Sequence, residues 1–440
     1  MWRVMALAVF FAPALAAQVA VPTVPRRAGL GGAQQSATGM PGLRAPLGTP
    51  VRSISARIEA LRNARRLRIL QRIHRDPRRI ALDPAGNPIL RGELLAIDAT
   101  HAALRRARAA GFTVLRTETL TPLDLNVAQL RVPSGRSTAR ALHTLRRLDP
   151  TGTYDFDHLY LQSGSLRPAR IRKTRIAAEP AEDTAAGPPA VLGLIDGGID
   201  TTQQVFRGEQ IHTHGCGGTS IPSAHGTAVA SLMIGRGPHF AGAAPGATLY
   251  AANVFCGAAT DGSASDIARA FAWLELHQVP VIDISLAGPD NALLKTVIAR
   301  VLARGALIVA PVGNDGPAAP PLYPAAYPGV IGVTAVDPNH RVLFEACRGP
   351  QVMFAAPGAD IAAARIPAGY GAVRGTSFAA PLVAGLLAMQ LHEPSPARAH
   401  AALAALVRRA IHLGPPGRNA VYGYGLLAIG LPRGSGQAQR

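Results

Sequence analysis

From Val191 onward the chain repeats one arrangement, a short and continuously apolar run followed by a stretch with helical spacing. The runs are VLGLID, ATLYAANVF, VPVIDISL, GALIVAPVG and VIGVTAV. A strand that alternates polar and apolar residues has one wet face, whereas a strand apolar throughout is covered on both. Helices between such strands supply the cover, so this half predicts an α/β fold, a parallel sheet flanked by helices. In open sheets of this kind, functional groups collect at the carboxyl ends of the strands.

The first run ends in Asp196, and the glycines of DGGID let the backbone turn sharply there. In SAHGTAVASLMIG, His225 opens an apolar helical stretch. In GTSFAAPLVAG, Ser377 lies four residues before Pro381, which is tolerated in the first turn of a helix. Ser377 therefore stands at or just before a helix N-terminus, where backbone N–H groups favour anionic oxygen. Each residue has a plainer reading alone: a turn aspartate, a core histidine, a capping serine. Together they supply a nucleophile, a general base and a carboxylate to orient the base. Their order, Asp then His then Ser, excludes the α/β-hydrolase order, and G-x-S-x-G is absent around Ser377.

The motifs DGGID, HGTAVAS, SLAGP, VGNDG and GTSFAAP, in that order over about residues 189–428, resemble those of the subtilisin-like serine peptidases. The resemblance implies that Asp196 orients His225, that His225 takes the Ser377 proton, and that Asn314 and the Ser377 N–H stabilise the oxyanion. Taken bare, an asparagine before Asp-Gly is a turn residue. The resemblance further implies that Ser285, Leu286 and Ala287 pair with an extended substrate, with Ala310 and Gly313 in the facing wall. The family usually has Gly at position 287 and Asn at 283. Here the Ala287 methyl narrows the pocket entrance and Asp283 is expected to add a negative charge beneath it, with medium apolar side chains as the expected preference. No cofactor is implied. The calcium loop of many members is replaced by GRGPHFAGAAPGAT, which has no carboxylate or amide ligand, so no metal is expected. His212, His214 and Cys216 are too closely spaced for structural zinc and read as a surface loop. Three cysteines in an exported chain make one disulfide and one free thiol the simplest arithmetic. The family placement sets Cys216 and Cys256 in neighbouring loops at one sheet edge, so they are the expected pair, with Cys347 buried.

The N-terminal half is different in kind. MWRVMALAVFFAPALAA has a basic start, a short apolar run and small residues at its end, as a secretory signal peptide over residues 1–17 does. The product is then exported, periplasmic or secreted. Residues 18–50 have no apolar period and read as disordered. Val51 to His74 spaces Ile54, Ile58, Leu61, Leu67, Leu70 and Ile73 helically among arginines: a basic amphipathic helix that packs on another surface or lies at a membrane. Residues 89–160 read as β-α-β-β-α-β, the ferredoxin-like α+β order. Residues 161–188 read as a linker and 431–440 as a disordered tail. The net charge of +19 invites a nucleic-acid reading, but residues 18–180 hold 28 Lys and Arg against 11 Asp and Glu. Residues 181–440 hold 16 against 15. Charge confined to one half argues against nucleic acid. By the family resemblance, residues 51–160 are a proregion that inhibits the peptidase at 189–430 and assists its folding. The chain is then an exported serine endopeptidase acting on proteins or peptides, made as a self-processed precursor with Tyr160–Leu161 as the expected cut. The alternative is an envelope binding or adhesion protein on the same fold.

Overall fold

The computed structural model describes residues 53–162, 164–167, 189–237 and 240–428. The expected signal peptide, the segment at 18–50, most of the linker and the tail at 431–440 lie outside these residues. Helix α1 (Ile54–Arg75) opens with Ser53, whose side chain accepts from Ala56 N. Arg72, His74 and Arg75 in its last turn suit the negative end of the helix dipole. Only part of the expected apolar stripe docks it: Ile58, Leu61 and Ile73 are half-buried, with Ile73 packed on Ile80, Leu90 and Leu159, whereas Ile54, Leu67 and Leu70 are exposed. Arginines add to this hold, because a long side chain can lay its stem on the surface and carry a five-donor head to distant carbonyls. Arg65 and Arg68 pair with Asp315, and the Arg57 guanidinium lies 3.7 Å from the centre of the Phe344 ring. Arg72 donates to the carbonyls of Ala259 (2.6 Å), Tyr160 (2.8 Å) and Asp261.

Next come β1 (Ile80–Leu82), β2 (Pro88–Ile97), α2 (His101–Ala109), β3 (Thr113–Leu120), β4 (Leu125–Arg131), α3 (Thr138–Leu148) and β5 (Thr153–His158). The last four strands form an antiparallel sheet in the order β3-β4-β2-β5, and β1 pairs with the start of β2. Alternation along the strands splits their side chains between two cores. Leu94, Ala96, Leu130 and Phe156 pack with Leu104 and Leu142 of α2 and α3. Leu95, Ile97, Leu125 and Val127 point the other way, into a core shared with the C-terminal half.

Two short strands, β6 (Leu161–Gln162) and β7 (Ser165–Arg167), precede the main sheet. That sheet is built from β8 (Val191–Asp196), β9 (Ile211–His214) and, beyond α4 (Ala224–Ile234) and the small β10 (Arg236–Gly237) and β11 (Phe240–Ala241) hairpin, β12 (Thr248–Asn253). After α5 (Ala264–Leu276) follow β13 (Val281–Ile284), β14 (Leu286–Ala287), α6 (Ala292–Ala303), β15 (Leu307–Pro311), β16 (Ile331–Val336) and β17 (Val352–Pro357). The antiparallel strands β18 (Ala359–Ala364) and β19 (Tyr370–Arg374) then lead to α7 (Ala380–Ala388) and α8 (Pro396–Arg409). Seven parallel strands run in the order β17-β16-β15-β13-β8-β12-β9. Helices α4 and α7 cover one face and α5 and α6 the other. Nearly every residue of α4 and α7 is buried, as expected for helices apolar on all sides. The expected surface loop IHTHGCGG is in part the edge strand β9. Its histidines stay on the surface, where His212 stacks on Tyr250 and His214 on Trp273. Among the described residues no helix is long and apolar enough to cross a membrane.

Candidate active site

Asp196 is the last residue of β8, at the carboxyl edge of the sheet. The chain must leave that edge through a narrow gap: a Cβ on Gly197 would lie 2.3 Å from Ser223 Oγ. Ser223 caps α4 by accepting from Gly226 N at 2.9 Å, and this fixes the helix turn that carries His225. His225 Nδ1 lies 2.8 Å from Asp196 Oδ2 and 3.0 Å from Oδ1, with both side chains buried. A carboxylate on Nδ1 fixes the ring so that Nε2 is the nitrogen that can take up a proton.

Ser377 sits in a one-turn 3-10 segment, Thr376–Phe378, that precedes α7 and packs against α4. Its Oγ is buried and has no hydrogen-bond partner among the described residues, while the neighbouring Phe378 ring lies 5.2 Å from that of His225. Thr376 ties this turn to the VGNDG loop: its N–H donates to Asn314 Oδ1 at 3.1 Å, and its hydroxyl accepts from Gly313 N at 3.3 Å. With Oδ1 so held, Asn314 Nδ2 faces Gly375, where a Cβ would lie 3.1 Å from it.

A groove leads up to this turn on both sides, and the chain's own residues 160–162 and 164–167 lie along it. Leu161 pairs antiparallel with Ala287 and Gln162 with Leu286, while Ser165, Leu166 and Arg167 pair with Arg374, Val373 and Ala372. Tyr160 is fully buried; its N–H donates to Gly262 O at 2.8 Å and its hydroxyl to Pro289 O at 2.7 Å. Gln162 Nε2 donates to Asp196 Oδ1 at 2.8 Å. Gly164 passes so close to Gly375 that a Cβ on Gly375 would meet Gly164 Cα at 2.8 Å.

Leu286 and Ala287 thus face extended chain. The Ser285 side chain is fully buried, with Oγ 2.7 Å from Asp283 Oδ2 and 3.2 Å from the Ser377 carbonyl oxygen. Ala310 is buried in β15, and Gly313 holds a φ of +98° where a Cβ would strike Leu322 at 2.4 Å. Cys216 and Cys256 are joined, with Cα atoms 5.3 Å apart, and Cys347 is free and buried. Burial pushes its thiol up to about 12, which leaves it inert. The sequence reading missed Tyr160, Gln162 and Thr376, whose roles depend on contacts with distant segments. It also missed that β5 caps two helices of the other half. Asp155 Oδ2 accepts from Ala292 N of α6 at 2.7 Å, and Asp157 accepts from Ser265 N and Oγ of α5 at 3.1 and 2.7 Å. The alternation in TYDFDHLY was the available signal, since it puts both carboxylates on one face.

A buried Asp-His pair, a serine at the start of a core helix and an edge that pairs with extended chain define a serine peptidase of subtilisin type. The match of residues 189–425 to the model of the subtilase family places the chain in that family. It is 30% identical over 269 residues to subtilisin E of Bacillus subtilis (strain 168), which spans 57% of this chain and 68% of that protein. It is 31% identical over 209 residues to the minor extracellular protease Epr of the same organism, which spans 47% of this chain but 32% of Epr. Fervidolysin from Fervidobacterium pennivorans, a keratinolytic enzyme related to subtilisin, has a similar fold, with a TM-score of 0.65 over 78% of this chain and 62% of that one, at 20% identity.

Proposed function

We propose that the chain is an exported serine endopeptidase, made as a precursor that cuts itself. Ser377 attacks the peptide carbonyl as His225 takes its proton, Asp196 stabilises the imidazolium, and Asn314 with the Ser377 N–H holds the oxyanion. His225 then returns the proton to the leaving amine, and water repeats the sequence on the acyl-enzyme. Cys216–Cys256 is the structural disulfide of the exported enzyme. Residues 51–160 are the proregion, and protein or peptide chains are the substrates.

The observation that carries this reading is the chain's own course through the groove. Gln162 pairs with Leu286 on one side of the Ser377 turn, and Gly164 lies on Gly375 at the other. The bond between Ser163 and Gly164 is therefore the self-cleavage site, three peptide bonds beyond the Tyr160–Leu161 bond expected from the sequence. Tyr160 instead fills the far pocket beside Gly288 and Pro289. The wild type, expressed without its first 17 residues, should yield a new N-terminus at Gly164, and Ser377→Ala should stay whole. Purified Ser377→Ala chain cut at the same bond would remove self-processing. A mature form that a fluorophosphonate leaves unlabelled at Ser377 would favour the binding-protein alternative.

A further inference from the structure

Asp283 lies in the middle of the central strand β13, fully buried, with Oδ1 unpartnered and Oδ2 against Ser285 Oγ at 2.7 Å. Ser285 Oγ also faces the carbonyl oxygen of Ser377 at 3.2 Å. One hydroxyl carries one hydrogen, and it cannot serve a carboxylate and a carbonyl together. If Asp283 were ionised, two acceptors would compete for that hydrogen and the other carboxylate oxygen would have no donor at all.

We propose that Asp283 is a positioning residue that works as a neutral acid: its proton goes to Ser285 Oγ, which frees the Ser285 hydrogen to hold the Ser377 carbonyl and thereby the turn that carries the nucleophile. Every contact then has one donor and one acceptor, and the unpartnered Oδ1 is an uncharged carbonyl oxygen. Burial drives the Asp283 carboxyl well above the usual carboxylate range, and the Asp196 charge adds to this against the Ser285 hydrogen bond. The titratable groups that face it are Asp196 at the end of β8 and His225 on α4. Strand β15 and helix α7, packed on its other sides, contain no titratable side chain. Neutrality also protects the base. A second negative charge beside the Asp196–His225 pair would raise the affinity of His225 for a proton and hold the imidazole in its charged, non-basic form.

The inference rests on Ser377 being the nucleophile, and its test separates the two. A difference infrared spectrum of Ser377→Ala against Ser377→Ala/Asp283→Asn at neutral pH should contain a protonated-carboxyl stretch that Asp283→Asn removes. In the active background, Asp283→Asn keeps a donor to Ser285 and should retain kcat within a few fold. Asp283→Leu removes the donor and should lower kcat about a hundredfold with KM little changed, the scale on which small misplacements of reacting groups act. At strongly alkaline pH the wild type should lose kcat relative to Asp283→Asn. A carboxylate band in place of the protonated one, or an Asn variant as impaired as the Leu variant, would overturn the assignment. Should Asp283→Leu not fold, the infrared arm and the Asn variant still decide it. A wild type that no fluorophosphonate labels would sink the catalytic reading instead, and leaves the infrared result to stand on its own.

Discussion

Asn314 is held by its oxygen so that its amide can be used: Thr376 N donates to Oδ1, and Nδ2 turns toward Gly375. Donors fixed in advance act on the transition state more than on the bound substrate. Asn314→Ala should therefore lower kcat roughly a hundredfold or more with little change in KM, a magnitude carried over from the corresponding asparagine of subtilisin. Steady-state kinetics on a short peptide check it, and a variant that loses KM alone would show a binding role. The Asp, His, Ser and Asn were legible because each stands in a short motif whose neighbours, Gly197, Ser223 and Thr376 among them, set its local geometry. Asp283 was legible as an oddity in an apolar strand but not as an acid. Its partner Ser285 is two positions away, whereas the carbonyl that completes the chain lies 92 positions beyond Ser285. Contacts of that range follow from the sheet, not from the neighbouring sequence.

At the scale of elements, β5 joins the two halves through helix ends. Asp155 and Asp157 meet the exposed N–H groups of α6 and α5, where negative charge is favoured. Burial still pushes Asp157 up to about 6, against the hydrogen bonds from Ser265. If the N-terminal part is severed and released as proposed, Asp157 regains an ordinary carboxylate value of about 3.9. The bound form then holds more protons than the released form between those two values, so binding weakens as pH rises through about 6. The expected loss is roughly tenfold to a hundredfold between about pH 4 and about pH 7, and Asp157→Asn should flatten it. Titration of proregion binding to the Ser377→Ala enzyme checks this. Binding that tightens as pH rises would contradict it. The elements of residues 88–158 were readable because each is long, periodic and bounded by Ser, Gly or Pro. Strands β17, β18 and β19 were not, since AAPGADIAAA is rich in alanine, a poor strand former that here is buried between helices and sheet. The stripe of α1 was legible only in part: Ile58 and Leu61 share the docked face with Arg65, Arg68 and Arg72, whereas Leu67 and Leu70 lie on the exposed side.

Across the whole molecule, the intact chain describes an enzyme with its own sequence in its groove, so the charge asymmetry follows the line of the cut. Under the proposed cleavage, the basic part would be the piece that leaves and the near-neutral part would remain. Cleavage after Ser163 would leave α1 and the β-sheet unit on one polypeptide, and each has its own footing on the peptidase. The sheet rests on α5 and α6, whereas α1 holds Asp315 and the carbonyls of Ala259 and Asp261. Two footings on one chain turn the second attachment into an intramolecular event, so a foothold that opens is recaptured before the other lets go. A proregion cut back to residue 76 should dissociate from the Ser377→Ala enzyme on the order of tenfold faster or more, while its association rate changes far less. Equal dissociation rates in surface-bound kinetics would count against this. Under the proposed self-cleavage, the two peptidase carbonyls that Arg72 holds, those of Ala259 and Asp261, would act as a timer: the lag before activity would be set by how rarely both attachments are open at once.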